Sequence, residues 1–389
     1  MGKVSHSLFI LCYLCYLCFL LFRFLQLMSD ESRKVIIIAD DLSGAAELAG
    51  IAFAHGLSAE VQRQFEPRTD AQMIAIDTDS RHLRPEIAAD RVRRFAEQVA
   101  AEKGAWLFKK VDSVLRGNPR AEIEALLQAT GKRRAVLLPA NPSRGRTIRG
   151  GRYLIDGVPL DQSPFARDPE HPRTSADVQT LLGPSTGTVD PIVLPDVESE
   201  AELRTQVRAR DEDTLASGAA DFFAALLNER CAPAKTNPLV VQPQPPALLV
   251  CGSSAAWPSR ESDCRAANVP VTTLDDPTLP PTTRVCLLGV GNSPAKSLQN
   301  DLMKRLADHA ATTIQAFSVH TVLAEGGATA AALAERMNWS RFAVVAAAPA
   351  GVGVLRPLGQ DNAPLFLIKP GSYPWPAGIW QSFLDCRQD

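Results

Sequence analysis

Residues Trp106–Glu122 read WLFKKVDSVLRGNPRAE. The stretch opens on an apolar run, Ala105–Phe108, with the character of a buried strand. Lys109, Lys110, Asp112, Ser113 and Arg116 then fall within eight residues, and Gly117 turns the chain. Asn118 stands where a helix N-cap is expected and Pro119 at the first helical position. Helix N-termini favour negative charge through their free N–H groups and dipole, so a corner carrying three cations and one carboxylate suits an anion. Alone, such a turn reads equally well as a solvated loop. Its neighbours decide.

The same pattern occurs twice upstream. Lys34–Ala39, KVIIIA, runs into Asp40-Asp41-Leu42-Ser43-Gly44, and a helical pattern, Ala45–His55, closes at Gly56. Ala71–Ile76 runs into Asp77-Thr78-Asp79-Ser80-Arg81, ahead of a charged helix over Pro85–Lys103. Downstream, Arg134–Pro139 is a fourth strand, followed by Arg144, Arg146, Arg149 and Arg152 among glycines. Those arginines offer forked donors to an anion, or form a basic surface loop. Ile192–Leu194 reads as a short strand and Glu200–Arg230 as one or two helices. Repetition of strand, polar tip and helix is the signature of a parallel sheet, which collects ligands at the carboxyl ends of its strands.

The 389 residues suffice for two domains. A formal charge of −2 gives no bulk electrostatic reason to bind nucleic acid. Eight cysteines show no zinc spacing and no disulfide framework, which points to free thiols in a reducing, cytoplasmic setting. Residues 1–27 include an apolar run, Leu8–Phe22. It reads as a signal core, an uncleaved anchor, or an extension ahead of Met28 as the natural start; the last is favoured, and only the anchor implies a membrane. The expected organisation is α/β with two domains, each a mainly parallel sheet flanked by helices. The first covers residues 28–230, a Pro-rich linker 231–246, and the second domain 247–389.

The second domain opens with strand Ala247–Cys251 and Gly252-Ser253-Ser254. Strand Arg284–Leu288 leads to Gly289-Val290-Gly291, with Ser293 and Pro294 opening a helix. A lone GxG followed by Pro294 is poor support for a nicotinamide site. Val319–Leu323 leads to Glu325-Gly326-Gly327-Ala328-Thr329, whose glycines and hydroxyl suit a phosphate. Leu365–Ile368 ends in Lys369-Pro370-Gly371-Ser372. There is no GxxxxGK(S/T) P-loop.

Together DDLSGA, DTDSR, KKVDSVLRGN, LPANPSRGRT, EGGATA and LIKPGS resemble, in that order, the four-carbon acid sugar kinase family of threonate and erythronate kinases. The resemblance implies a sugar-acid-binding domain followed by a nucleotide-binding domain, with ATP, accompanied by Mg²⁺, phosphorylating a sugar-acid hydroxyl between them. Asp40, Ser43, Asp79, Arg81, Lys109, Lys110 and Arg116 are then expected at the sugar acid. Ser253, Gly326, Gly327, Thr329, Lys369 and Gly371 are expected at the nucleotide. Asp41 and Asp112 are the two candidates to orient or deprotonate the hydroxyl, and no protein residue is assigned to a metal. The chain departs from the family at Ser43 (usually Thr), Glu47 (usually Asp) and Val114 (usually Thr), and at Ala255, Ala328 and Pro374 in the second domain. Those last changes sustain a competing expectation, a sugar-acid-binding protein with a degenerate nucleotide site.

Overall fold

The computed structural model describes residues 33–102, 104–168, 171–185, 187–211, 213–231, 241–254, 256–276, 284–291, 299–349, 351–371 and 373–386. The N-terminal apolar segment, most of the Pro-rich linker, Ala255, Ser293, Pro294 and Ser372 lie outside them.

The strands are β1 Val35–Ala39, β2 Ala59–Gln62, β3 Met73–Asp77, β4 Trp106–Lys110, β5 Arg134–Leu138, β6 Arg146–Arg149, β7 Arg152–Ile155, β8 Val158–Pro159, β9 Ile192–Val193 and β10 Thr214–Gly218. They continue with β11 Ala247–Cys251, β12 Val271–Thr273, β13 Val285–Gly289, β14 Thr321–Glu325, β15 Arg341–Ala346, β16 Gly353–Pro357 and β17 Leu365–Lys369. The helices are α1 Leu42–Ala54, α2 Pro85–Ala100, α3 Pro119–Thr130, α4 Val178–Leu182, α5 Glu200–Ala209, α6 Ala220–Arg230, α7 Trp257–Ala266, α8 Gln299–Ala316, α9 Gly327–Arg336 and α10 Ala377–Asp385.

Among the described residues, fourteen strands form one sheet in the order β12-β13-β11-β14-β17-β16-β15-β2-β3-β1-β4-β10-β5-β9. The expectation of one sheet per domain is therefore corrected. Two parallel fans, β2-β3-β1-β4-β10-β5-β9 and β12-β13-β11-β14-β17, are joined through β15 and β16, which run antiparallel to their neighbours. The seam is the pairing of Arg341–Ala343 with Glu60–Gln62, reinforced by a 2.9 Å ion pair between Arg341 and Glu60. The antiparallel strand β16 and the inserted β10 were absent from the sequence expectation, which ran Glu200–Arg230 as helix throughout. TLASG in β10 is short and carries no aromatic or β-branched run beyond its threonine, so a buried central strand left little trace.

Both faces of the parallel fans are covered by helices, and their strands read as continuous apolar runs for that reason. Ile36, Ile37 and Ile38 are all fully buried. Each contributes about 1.5–3 kcal/mol of hydrophobic stabilisation. The helix α1 lies across the seam, against β2 and β3 on one side and β15, β16 and α9 on the other. It fits because Gly353 faces it: a Cβ there would come within 2.4 Å of the Ala46 Cβ. Among the described residues the five cysteines form no disulfide. Among the described residues no helix is long and apolar enough to cross a membrane.

Candidate active site

Strand order decides where a ligand can enter. β1 has β3 on one side and β4 on the other; β11 has β13 on one side and β14 on the other. The chain reverses its direction of growth at each, and such reversals open a crevice at the carboxyl ends of the strands. Here the tips of both reversals line one cleft of about 480 Å³. Asp41, Ser43, Arg81 and Arg116 come from the N-terminal fan; Gly252–Ser254, Gly326–Thr329 and Gly371 come from the C-terminal fan.

The N-terminal wall is a network of side-chain charge. Asp41 is the N-cap of α1, its Oδ1 accepting from the Gly44 N–H at 2.9 Å. The Ser43 hydroxyl donates to Asp41 Oδ2, and Arg81 Nη2 donates to Asp41 Oδ1 at 2.7 Å. Arg81 also grips Asp40 through Nε and Nη2 at 2.7 and 2.9 Å. Burial alone would raise the Asp40 carboxyl, but Arg81 outweighs it and holds it low. Gly44 must stay small, because a Cβ would sit 2.8 Å from Asp41 Oδ1.

Asp112 and Asp41 are not equivalent. Asp112 Oδ2 accepts from the Val114 and Arg116 N–H groups and from Arg116 Nε, while Oδ1 accepts from Arg116 Nη2 at 2.8 Å. Burial would raise its carboxyl; Arg116 and Arg81 reverse that and hold it well below the usual carboxylate range. Asp112 is thus a clamp for Arg116, whose Nη1 donates to Asp168 at 3.1 Å. Asp168 and Phe165 belong to a loop that, with His82 and His171, walls the mouth of the cleft. Those two histidine rings stack with centroids 5.5 Å apart. None of these loop residues was singled out from sequence, although an acidic partner for Arg116 beyond Asp112 could have been sought there.

The C-terminal wall is mostly backbone. Gly326, at φ 105°, precedes α9, and Gly327 is its first residue. A Cβ on Gly327 would lie 2.2 Å from Asp41 Oδ2, so the Asp41 carboxylate sits against the start of α9. A Cβ on Gly252 would lie 2.2 Å from Thr329 Oγ1 and 2.9 Å from Met303 Sδ. Ser253 and Gly371 complete this wall.

The structure separates other expected residues from the cleft. Lys109 is fully buried and pairs with Glu122 at 2.8 Å behind the strand tip. Lys369 is equally buried, paired with Glu325 at 2.6 Å, while Glu325 also accepts from Arg260 and Trp375. Both lysines lie on alternating strand positions that face inward, which strand periodicity alone does not reveal when both faces are buried. Asp40 supports Arg81 without lining the cleft. Asp79 lines a separate hollow with Asp77, Arg63, Arg91 and Glu335. Lys110 lines a recess of about 20 Å³ behind Asp41, with Ser43, Glu47, Asp112, Ser113, Arg116 and Tyr373. Asn118 does not cap α3 with its side chain, which donates instead to the Leu83 carbonyl at 2.8 Å. Arg144 and Arg146, read as anion donors or loop, stack on Tyr373 with guanidinium carbons 4.0 and 4.9 Å from the ring centroid. They clasp the two fans together.

A family model described as a sugar-binding N-terminal domain matches residues 35–236, more than half of the chain. The chain belongs to the four-carbon acid sugar kinase family. Curated members of the family match in part. A D-erythronate kinase of Heliobacterium modesticaldum is 38% identical over 144 residues, 36% of this chain and 33% of its own length. A D-threonate kinase of Salmonella typhimurium is 32% identical over 152 residues, 38% of this chain and 36% of its own length. A 3-oxo-tetronate kinase of Brucella melitensis is 30% identical over 159 residues, 38% of this chain and 35% of its own length. The chain spans about a third of the length of the curated relatives it matches. The fold extends further than the sequence likeness. A solved Salmonella typhimurium structure described as a putative tRNA synthase superposes with TM-score 0.66 at 16% identity, covering 91% of this chain and 98% of its own. A Haemophilus influenzae protein superposes with TM-score 0.64 at 17% identity, covering 89% and 98%.

Proposed function

We propose that this member of the four-carbon acid sugar kinase family transfers the γ-phosphoryl group of ATP to a hydroxyl of a four-carbon sugar acid of the threonate or erythronate type. The observation that carries the reading is the contact between Asp41 Oδ2 and the start of α9 at Gly327, with Arg81 and Arg116 on the same wall. A carboxylate that can accept a hydroxyl proton there stands next to the backbone amides that would receive phosphate oxygens.

The glycine wall fits a nucleotide's phosphates. Gly252 and Gly327 have no room for a Cβ, so backbone approaches the cleft directly. Ser253 and Thr329 add hydroxyls beside them. A Mg²⁺ ion carried by ATP would be held mainly by the phosphate oxygens, with the Asp168 carboxylate at the cleft mouth the acid able to join them; its chemistry there is neutralisation of phosphate charge. Arg116, fixed by Asp112, would take the sugar-acid carboxylate. Asp41, with one oxygen turned to α9, would orient and deprotonate the hydroxyl. Asp112, with its oxygens committed and its proton affinity depressed, would orient Arg116 instead.

One observation favours the alternative of a binding protein with little kinase activity: the Thr329 hydroxyl is directed at Met303 Sδ, 3.8 Å away, inside the nucleotide wall. A single experiment separates them. ADP release is followed with ATP, Mg²⁺ and D- and L-threonate and erythronate, and sugar-acid binding is measured by calorimetry. Turnover on at least one acid supports the kinase; heat of binding without turnover on any supports the alternative.

A further inference from the structure

The recess behind Asp41 holds a group the proposed chemistry does not use. Glu47 lies one helical turn after Ser43 on α1, so both side chains share the face turned to the cleft. It is 4% exposed, and its Oε1 is buried with no hydrogen-bond partner among the described residues. Its Oε2 stands 3.7 Å from Lys110 Nζ. Such an orphan is rare in folded proteins and marks a position where a donor is missing.

The recess measures about 20 Å³, room for one water-sized group. It adjoins the cleft, and Asp41, Ser43, Arg81 and Arg116 line both. Lys110 Nζ donates to the Val111 carbonyl at 2.9 Å and has further protons to offer. A group seated there must donate to Glu47 and can accept from Lys110. A carboxylate would be repelled by Glu47, a phosphoryl group is too large, and an oxo group could only accept. A hydroxyl fits all the conditions.

We infer that Glu47 is a substrate-binding residue that accepts a hydrogen bond from one non-reacting hydroxyl of the sugar acid, and so selects a hydroxyl over an oxo or methylene group at that carbon. The inference rests on the sugar-acid reading of the cleft. A site built to pair a substrate hydroxyl discriminates strongly against the analogue lacking it, because its own buried polar group is then left unpaired. A water in the recess would satisfy Glu47 equally well, and the experiment is arranged to tell the two apart.

Wild type, Glu47→Gln and Glu47→Ala are compared by calorimetry and ADP release with threonate or erythronate, whichever wild type prefers, and with its 2-deoxy and 3-deoxy analogues. Thermal melts check that the variants fold; Glu47→Gln, nearly isosteric, remains informative if Glu47→Ala does not. Wild type should bind one deoxy analogue roughly 10- to 100-fold more weakly than the parent acid; Glu47→Ala should lose most of that difference, and Glu47→Gln, which keeps an amide oxygen but not the charge, should lose part of it. The parent acid's KM should rise in the variants more than its kcat falls. Equal preference ratios in wild type and variants would overturn the inference and assign the recess to water. If wild type neither binds nor phosphorylates any of the acids, the proposed function fails first, and the variants are not the cause.

Discussion

The wall after β1 and β4 meets the cleft with charged side chains, whereas the wall after β11 and β14 meets it with glycine backbone. Behind each wall stands a buried Lys–Glu pair near the end of a strand, Lys109–Glu122 at 2.8 Å on the penultimate residue of β4 and Lys369–Glu325 at 2.6 Å on the last residue of β17. The two fans therefore share a device for fixing the tip and differ in what the tip presents. In the first, the pair stands under a layer of Asp40, Asp41, Arg81, Asp112 and Arg116, which can grip a carboxylate and hydroxyls. In the second, Arg260 and Trp375 join the pair on Glu325, so its charge is consumed inside and the cleft receives amide N–H groups. A polar small molecule is recognised by placed side chains; phosphates are recognised by backbone that no Cβ obstructs.

The sharpest way to break that division is Asp41→Asn. Asparagine keeps the N-cap, so stability should change little. The proton acceptor is lost, and kcat should fall about 10²- to 10⁴-fold with KM for ATP nearly unchanged. Steady-state kinetics check it; an unaltered kcat would move the acceptor elsewhere. The two buried pairs are tested next by Lys109→Met and Lys369→Met. Lys109→Met leaves Glu122 uncompensated in the interior and should lower unfolding stability by about 3–5 kcal/mol in urea titrations, whereas Lys369→Met leaves Glu325 still paired with Arg260 and should cost less. Burial already depresses the Lys369 proton affinity, against the pull of Glu325. If one pair tolerates the change, the shared device is an accident of geometry.

The N-terminal wall was legible because its chemistry is written in side chains. Asp40, Asp41, Arg81, Asp112 and Arg116 follow apolar strand runs at successive tips, and the structure brings them within hydrogen-bond or ion-pair reach of one another. Lys109 was misplaced because a strand buried on both faces has no polar side to betray its direction. Asp79 was misplaced because its φ of 48° turns the chain away from β3 toward the separate hollow. The seam was hidden for another reason: β2 and β15 are 281 residues apart at the Glu60–Arg341 pair, and nothing local announces so distant a partner. The loop carrying Phe165 and Asp168 was likewise set by a distant partner, Arg116.

Gly252→Ala probes the backbone wall alone. Its Cβ would press on Thr329 Oγ1 at 2.2 Å and Met303 Sδ at 2.9 Å, and flexible Met303 can yield where Thr329 on α9 cannot. KM for ATP should rise roughly 30-fold, in line with sub-ångström misplacement of a binding wall, while calorimetric affinity for the sugar acid stays within about twofold. A parallel loss of both affinities would show that the walls are not independent.

The smallest effect concerns the hollow that receives Asp79. Asp77 lies there, 2% exposed. Burial, with Asp79 adding repulsion and Arg63 only partly offsetting it, pushes its carboxyl up to about 7. An unfolded aspartate ionises near 3.9. Between those values the folded chain holds one proton more than the unfolded chain, so stability falls as pH rises. Below about pH 3.9 both forms are protonated and the contribution no longer changes. From pH 5 to 8 the loss should be about 3 kcal/mol, at 1.36 kcal/mol per unit over the two units below the folded value. Asp77→Asn keeps an oxygen for the Asp79 N–H and cannot ionise, so its urea midpoint should vary less over that range and exceed wild type at pH 8. Asp79, Arg63, Arg91, His82, Glu335 and Asp41 surround this pair, so the difference between wild type and variant, not either slope alone, reports Asp77. Turnover should be unchanged, because the hollow presents its charges to each other and to solvent. A variant with wild-type pH dependence would mean that Arg63 keeps Asp77 ionised in the fold, and the hollow would then resemble the paired, saturated charge of the first wall.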